Sequence, residues 1–306
     1  MNTGTKAAVG ILLIGVAALP AATLAGTPIN ESKPAKADGV VTIENLNGPI
    51  TVVGWSKNEV EVTGTLGDGP ERLDFDVDGK HTTIEVVWPE RDENDNWNWG
   101  KRNPEPTVLE ISVPAGSEVR VEGVNTQIDI SKVNGAMELE TVNGDVHITG
   151  SPEEVEAGTV NGDIEIDVTS EAISVETVNG NLHITAERGE ISGASVNGDI
   201  TITGDLEGRG EFANVSGDIA FEGDLTGRGP FEFASHSGTI VLTLSRGVSA
   251  RFDVDTFSGD IENDFGAEAE RTSKYGPGME LSFTAGDGES RVEVSSFSGS
   301  VEIRKN

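Results

Sequence analysis

The 306-residue chain contains no cysteine. That excludes a disulfide framework and a lipid anchor on a cysteine, and leaves stability to packing and hydrogen bonds. Aromatic residues make up 5% of the chain, so a core has to be built from Val, Ile and Leu. Such side chains suit a pleated surface, and the β-branched ones lose rotamer freedom in a helix, which points to strands. Basic residues are scarce: 21 Lys and Arg stand against 53 Asp and Glu, for a net charge of −32. Nucleic acids and anionic lipid headgroups are held by Lys and Arg that displace counterions, so this field argues against both as partners. The uncharged stretch from Ala7 to Leu19 falls short of the roughly 20 residues that span a bilayer, and Pro20 interrupts its end. With Lys6 before it and Thr23-Leu24-Ala25 behind it, residues 1–25 read as a secretory signal peptide cleaved after Ala25. The expected product is exported to the periplasm or cell surface, with no stable membrane insertion. Residues 26–38, with Pro28 and Pro34, are expected to form a flexible leader.

Glycine, by contrast, is abundant at 39 residues, and much of it sits in a repeat. The units are Val133-Asn134-Gly135, Val142-Asn143-Gly144, Val160-Asn161-Gly162, Val178-Asn179-Gly180 and Val196-Asn197-Gly198. Val215-Ser216-Gly217, His236-Ser237-Gly238, Phe257-Ser258-Gly259 and Phe297-Ser298-Gly299 continue it. From Gly144 to Gly198 the spacing is 18 residues, then 19, 21 and 21. Beyond each glycine, apolar and polar residues alternate, as in Ile164-Glu165-Ile166 and Leu182-His183-Ile184, the mark of a half-buried strand.

Asn-Gly between short strands fits a type I′ hairpin meander, and equally the corner of a solenoid. A hairpin array does not require one residue type at one place in every unit. A solenoid stacks its windings about 4.8 Å apart, so equivalent side chains form ladders. The expected fold is therefore all-β, a single-domain parallel β-solenoid over 39–306 with coils of 18–21 residues. The Asn column is expected to hydrogen-bond from coil to coil. Within this domain, 39–113 is the less regular part, with a Trp-rich loop at 88–106 and a capping unit, and 114–306 holds the regular repeats. Arg304, Lys305 and Asn306 are expected to guard the far edge with charge.

At these residues the chain resembles the bacterial adhesin-type family of β-strand repeat proteins known as DUF4097. The likeness rests on Asn47-Gly48 followed by Ile50-Thr51-Val52-Val53-Gly54-Trp55, on Val113-Pro114-Ala115-Gly116, and on the Val-Asn-Gly-Asp-Ile units. It also uses Ser249-Ala250-Arg251-Phe252-Asp253-Val254, Phe257-Ser258-Gly259-Asp260-Ile261 and Tyr275-Gly276-Pro277-Gly278. The resemblance implies a right-handed β-helix-like fold and an envelope location, and carries over no catalytic or binding residue.

Catalytic machinery is not legible. Carboxylates are everywhere and basic residues scattered, and no nucleophile, base and orienter can be drawn together. Asp145, Asp163, Asp199, Asp218 and Asp260 follow the turn glycines as a column, read as corner residues that bond their own backbone. Stacked aspartates repel, and a hard cation with oxygen ligands relieves that, so specific calcium is the one candidate cofactor. The Gly-Gly-x-Gly-x-Asp nonapeptide of calcium-binding β-rolls is missing, which favours a solvated acidic edge. His147, Glu165 and His183 should neighbour one another, but histidines two coils apart, roughly 9.6 Å, cannot share one metal. Trp97 and Trp99 in the long loop are the candidate ligand contacts, against a lid on the solenoid flank. Gly204-Asp205-Leu206-Glu207-Gly208-Arg209-Gly210 and its copy from Gly223 to Gly229 read as corner loops, since they lack the Lys-Ser/Thr of a phosphate loop. The expected function is a non-enzymatic, adhesin-like envelope module with a protein or glycan partner. The competing reading is a carbohydrate-binding or carbohydrate-active β-helix.

Overall fold

A computed structural model describes residues 26–89, 104–186 and 188–306. Each repeat contributes an outer pair of strands at a tight corner. Glu154–Asn161 runs in one sheet, turns at Gly162, and continues as Ile164–Val168 in a second sheet. The next unit, Ala172–Asn179 and Leu182–Ala186, lies parallel on top of it. Thr159 pairs with Thr177 and Asn161 with Asn179, so Val160 lies over Val178. The protein is an all-β parallel solenoid, whose two main sheets have 13 and 14 strands among the described residues.

The inward residues of the two sheets make one core. Ile164, Ile166, Leu182, Ile184, Ile200 and Ile202 are buried from one face, and Val155, Ile173, Val175 and Ile191 from the other. At the corner the windings approach so closely that a side chain does not fit. A Cβ on Gly180 would lie 1.9 Å from the carbonyl oxygen of Gly162, which explains the glycine column. Beyond residue 203 the windings lengthen at the opposite corner rather than at this one. Leu206–Glu207 and Leu225–Thr226 pair there as a third, two-stranded face, with Leu206 and Leu225 buried. The wider interior admits aromatic rings: Phe212 stacks on Phe233 at 5.3 Å. Gly193 makes room, since a Cβ there would meet Phe212 at 3.3 Å.

The N-terminal end is closed by antiparallel strands. Thr27–Pro34 pairs with Glu59–Leu66, which pairs with Val108–Pro114. Arg72–Asp78 and His81–Val87 form a hairpin whose second strand runs parallel to Val40–Asn47. The expected flexible leader at 26–38 is thus corrected: most of it is an edge strand with Ile29 buried. Proline is tolerated there because an edge strand leaves alternate N–H groups unpaired.

At the other end, spatial order departs from chain order. Ser290–Ser298 lies between Pro230–Ser237 and Ala250–Ser258, parallel to both. Val301–Lys305 likewise lies between Ile240–Leu244 and Ile261–Asn263. The strand that ends in Arg304 and Lys305 is thus internal to its sheet and not the far edge, with these two residues pairing only with Thr243 and Leu244, which corrects their assignment as guards of the far edge. Lys305 lies 4.4 Å from the ring centre of Phe265.

A candidate binding groove beside the corner

Three ladders run along the glycine corner. Innermost are Thr141, Thr159, Thr177 and Ser195, all buried. Thr159 and Thr177 donate 3.2 Å hydrogen bonds to the carbonyls of Gly144 and Gly162 in the preceding windings. Next comes the asparagine ladder, on the outside. Asn143, Asn161, Asn179 and Asn197 each donate from Nδ2 to Oδ1 of the asparagine one winding earlier, at 2.8–3.0 Å. Coil-to-coil bonding is as expected.

The aspartate column behaves differently from the expectation that each Asp bonds its own backbone. Asp145 Oδ1 accepts the N–H of Asp163 at 2.9 Å, Asp163 that of Asn181 at 2.7 Å, and Asp199 that of Asp218 at 2.8 Å. A side chain here caps the winding above. Asn181 interrupts the run of charge, and the amide dipoles offset the repulsion that a cation would otherwise relieve. Among the described residues no group of three or more His, Asp or Glu could hold a metal ion. His147 and Glu165 do stand together, with Nδ1 and Oε2 3.6 Å apart, and His183 follows Glu165 in register.

Between the threonines and asparagines one residue per winding points outward, and it is apolar in every winding except that of His236. The column runs from Leu46 through Val124, Val142, Val160, Val178, Val196 and Val215 to His236, Phe297 and Phe257. Val142, Val160 and Val178 are each 40% exposed and Phe257 57%. At about 4.8 Å per winding the stripe is about 40 Å long. Its end is aromatic, because the inserted winding puts Phe297 between His236 and Phe257 with both ring separations at 4.8 Å. Contiguous exposed apolar surface is the kind of feature that makes a candidate interaction site. The parity around Thr-Val-Asn-Gly carried the signal: with Val155, Ala157 and Thr159 inward, Val160 has to face out.

The stripe forms one wall of a shallow groove of about 600 Å³. The other wall is the outward column two residues earlier, which includes Glu122, Glu140, Gly158, Glu176, Ala194 and Ala213. Acid ladders continue at both ends. Burial, and then Glu85 and Glu122 alongside, push the Glu44 carboxyl above its ordinary range. Burial, and then Glu293, does the same to Asp255. Trp97 and Trp99 lie outside the described residues, and so does the signal peptide expected at 1–25. Among the described residues no helix is long and apolar enough to cross a membrane.

Parallel windings, side-chain ladders and an open apolar stripe define a β-solenoid repeat protein. Residues 194–304 match the family described as Toastrack DUF4097, the resemblance read from the repeat units. No curated protein matches the chain. Among solved structures, a "putative adhesin" from Bacteroides fragilis is 13% identical, covering 90% of this chain and 97% of its own, with a TM-score of 0.43. A "putative adhesin" from Parabacteroides distasonis is 10% identical, covering 91% and 98%, with a TM-score of 0.41. A "putative lipid binding protein" from the same species is 13% identical, covering 91% and 97%, with a TM-score of 0.26.

Proposed function

We propose that this chain is a non-enzymatic protein exported to the cell envelope, in the periplasm or at the cell surface, where it serves as an adhesin-like interaction module. The observation that carries the reading is the exposed apolar column along one corner, combined with a corner whose polar groups are engaged in holding windings together. Repetition supplies a long surface on which successive windings present a valine at the same height from Val124 to Val215. Such a surface suits an extended partner, a protein or a glycan of the envelope.

The test compares cells displaying the natural chain with cells displaying a Val142→Ser, Val160→Ser, Val178→Ser, Val196→Ser variant. Adherence to protein-coated and to glycan-coated surfaces is measured after the melting temperatures have been matched. Loss of adherence in the variant is expected on the protein surface. Loss on the glycan surface alone would transfer the reading to a carbohydrate-binding solenoid, and equal adherence on both would remove the stripe from the function. Fractionation with protease shaving of intact cells checks the location.

A further inference from the structure

Gly158 is the anomaly of the groove. It lies in the middle of a strand, where glycine weakens pairing and gives nothing to pack. Other glycines here have a reason. Gly180 faces a carbonyl oxygen at 1.9 Å, and Gly193 leaves space for Phe212. A Cβ on Gly158 would meet nothing within 4 Å, and its backbone is not in the left-handed region. Neither sterics nor backbone conformation demands a missing side chain there. Close approach of a ligand or another backbone is among the features that a strand glycine often marks.

What surrounds the gap defines the visitor. Gly158 pairs in register with Glu140 on one side and Glu176 on the other. The two carboxylate-bearing positions are two windings apart, about 9.6 Å. Both are exposed, and among the described residues neither takes part in an ion pair. Val142, Val160 and Val178 form the apolar wall beside them. We propose that this groove seats a partner polypeptide that lays apolar side chains along the valine column and lowers a lysine or arginine over Gly158, between Glu140 and Glu176. The inference rests on the reading of the stripe as an interaction surface and adds the chemistry of the occupant. An aliphatic stem with a cationic head matches an apolar wall with acids at the rim. A second copy of this chain is disfavoured as occupant, because two chains of net charge −32 would set like acid ladders face to face.

The full chain is tested against labelled peptides of alternating Leu-Lys, alternating Leu-Ser and alternating Leu-Glu. The expected order is Leu-Lys tightest, then Leu-Ser, with Leu-Glu unbound. Gly158→Val fills the gap from open space, so its melting temperature should equal or exceed that of the natural chain while Leu-Lys binding weakens about tenfold. Gly158→Ala should fall between them and serves if the valine variant misfolds. Glu140→Gln with Glu176→Gln should bring Leu-Lys down to the Leu-Ser level. Glu165→Gln with Glu222→Gln, on the other sheet, should leave binding unchanged. The proposal is overturned if Gly158→Val binds as tightly as the natural chain, or if the distant pair weakens Leu-Lys as much as the local pair. If Leu-Ser binds as tightly as Leu-Lys, the stripe stands and the cationic seat falls. If neither peptide binds, the polypeptide-binding stripe falls with it.

Discussion

The windings at 137–203 and those at 210–305 solve the same stacking problem in two ways. In the first set each winding follows its predecessor in the chain, the spacing is uniform, and every threonine or serine hydroxyl of the inner ladder is bonded to the winding before. In the second set the interior widens, five phenylalanines are fully buried, and the winding at 290–305 is slotted between two made earlier. The buried hydroxyls of Ser235 and Ser296 have no hydrogen-bond partner there among the described residues. The ladders nonetheless pass through without a break, as Ser237, Ser298 and Ser258 align across the insertion. Continuity of the solenoid is therefore a property of neighbours in space, and chain order is free to change provided each rung is filled.

Substitutions can break or sharpen that contrast. Truncation before Ser290 should have the largest effect. It uncovers Phe231, Phe233, Phe252 and Val254 at once, and hydrogen exchange should show protection lost beyond residue 210 and kept in 137–203. Full exchange throughout would mean that the two regions unfold as one. Phe233→Ala should cost about 3–5 kcal/mol in urea melts, the usual range for emptying a packed aromatic site. Gly180→Ala should cost about 2–3 kcal/mol, because its new methyl is driven against a backbone oxygen that cannot move aside. It should also loosen the regular region first, the reverse of the truncation. Asn161→Ala removes one donor and one acceptor from an exposed ladder and should cost about 1 kcal/mol, since water replaces what is lost. The smallest effect is expected for Glu44→Gln. The folded-state pKa of Glu44 is raised, so the folded protein holds this proton more tightly than the unfolded chain and is penalised once the pH exceeds the carboxyl's ordinary range. The variant should then be more stable at neutral pH by less than about 1 kcal/mol, given the exposure of the group. The gain should vanish below about pH 4, where both states are protonated.

The regular windings were readable because period-two alternation and a glycine every 18 residues both report a local condition: which side of a strand is wet, and where the corner is too tight for a Cβ. The insertion of 290–305 leaves no such trace. Phe257-Ser258-Gly259 follows His236-Ser237-Gly238 at the same 21-residue spacing as the preceding unit, so the sequence looks continuous where the structure is not. The strand at 27–34 was missed for a related reason, since an edge strand with one buried residue, Ile29, carries almost no alternation. Residue parity does place Val160 outward. The groove was overlooked because its meaning depends on Gly158 having no steric justification, and that is visible only once the neighbouring atoms are placed.

One consequence of the slotted winding concerns time rather than space. Residues 250–263 emerge from synthesis, and through any export channel, before residues 290–305, yet in the finished body the later segment separates them from residues 230–244. Until it arrives, the earlier winding can pair with Met279–Ala285 on its far side, but its near edge has either no partner or the wrong one, for its serine and isoleucine rungs would also match residues 237–240. Past the N-terminal cap, where Val108–Pro114 is likewise slotted between Ile50–Trp55 and Glu59–Leu66, assembly can thus proceed winding by winding only as far as Leu244, and the remainder has to wait and close together.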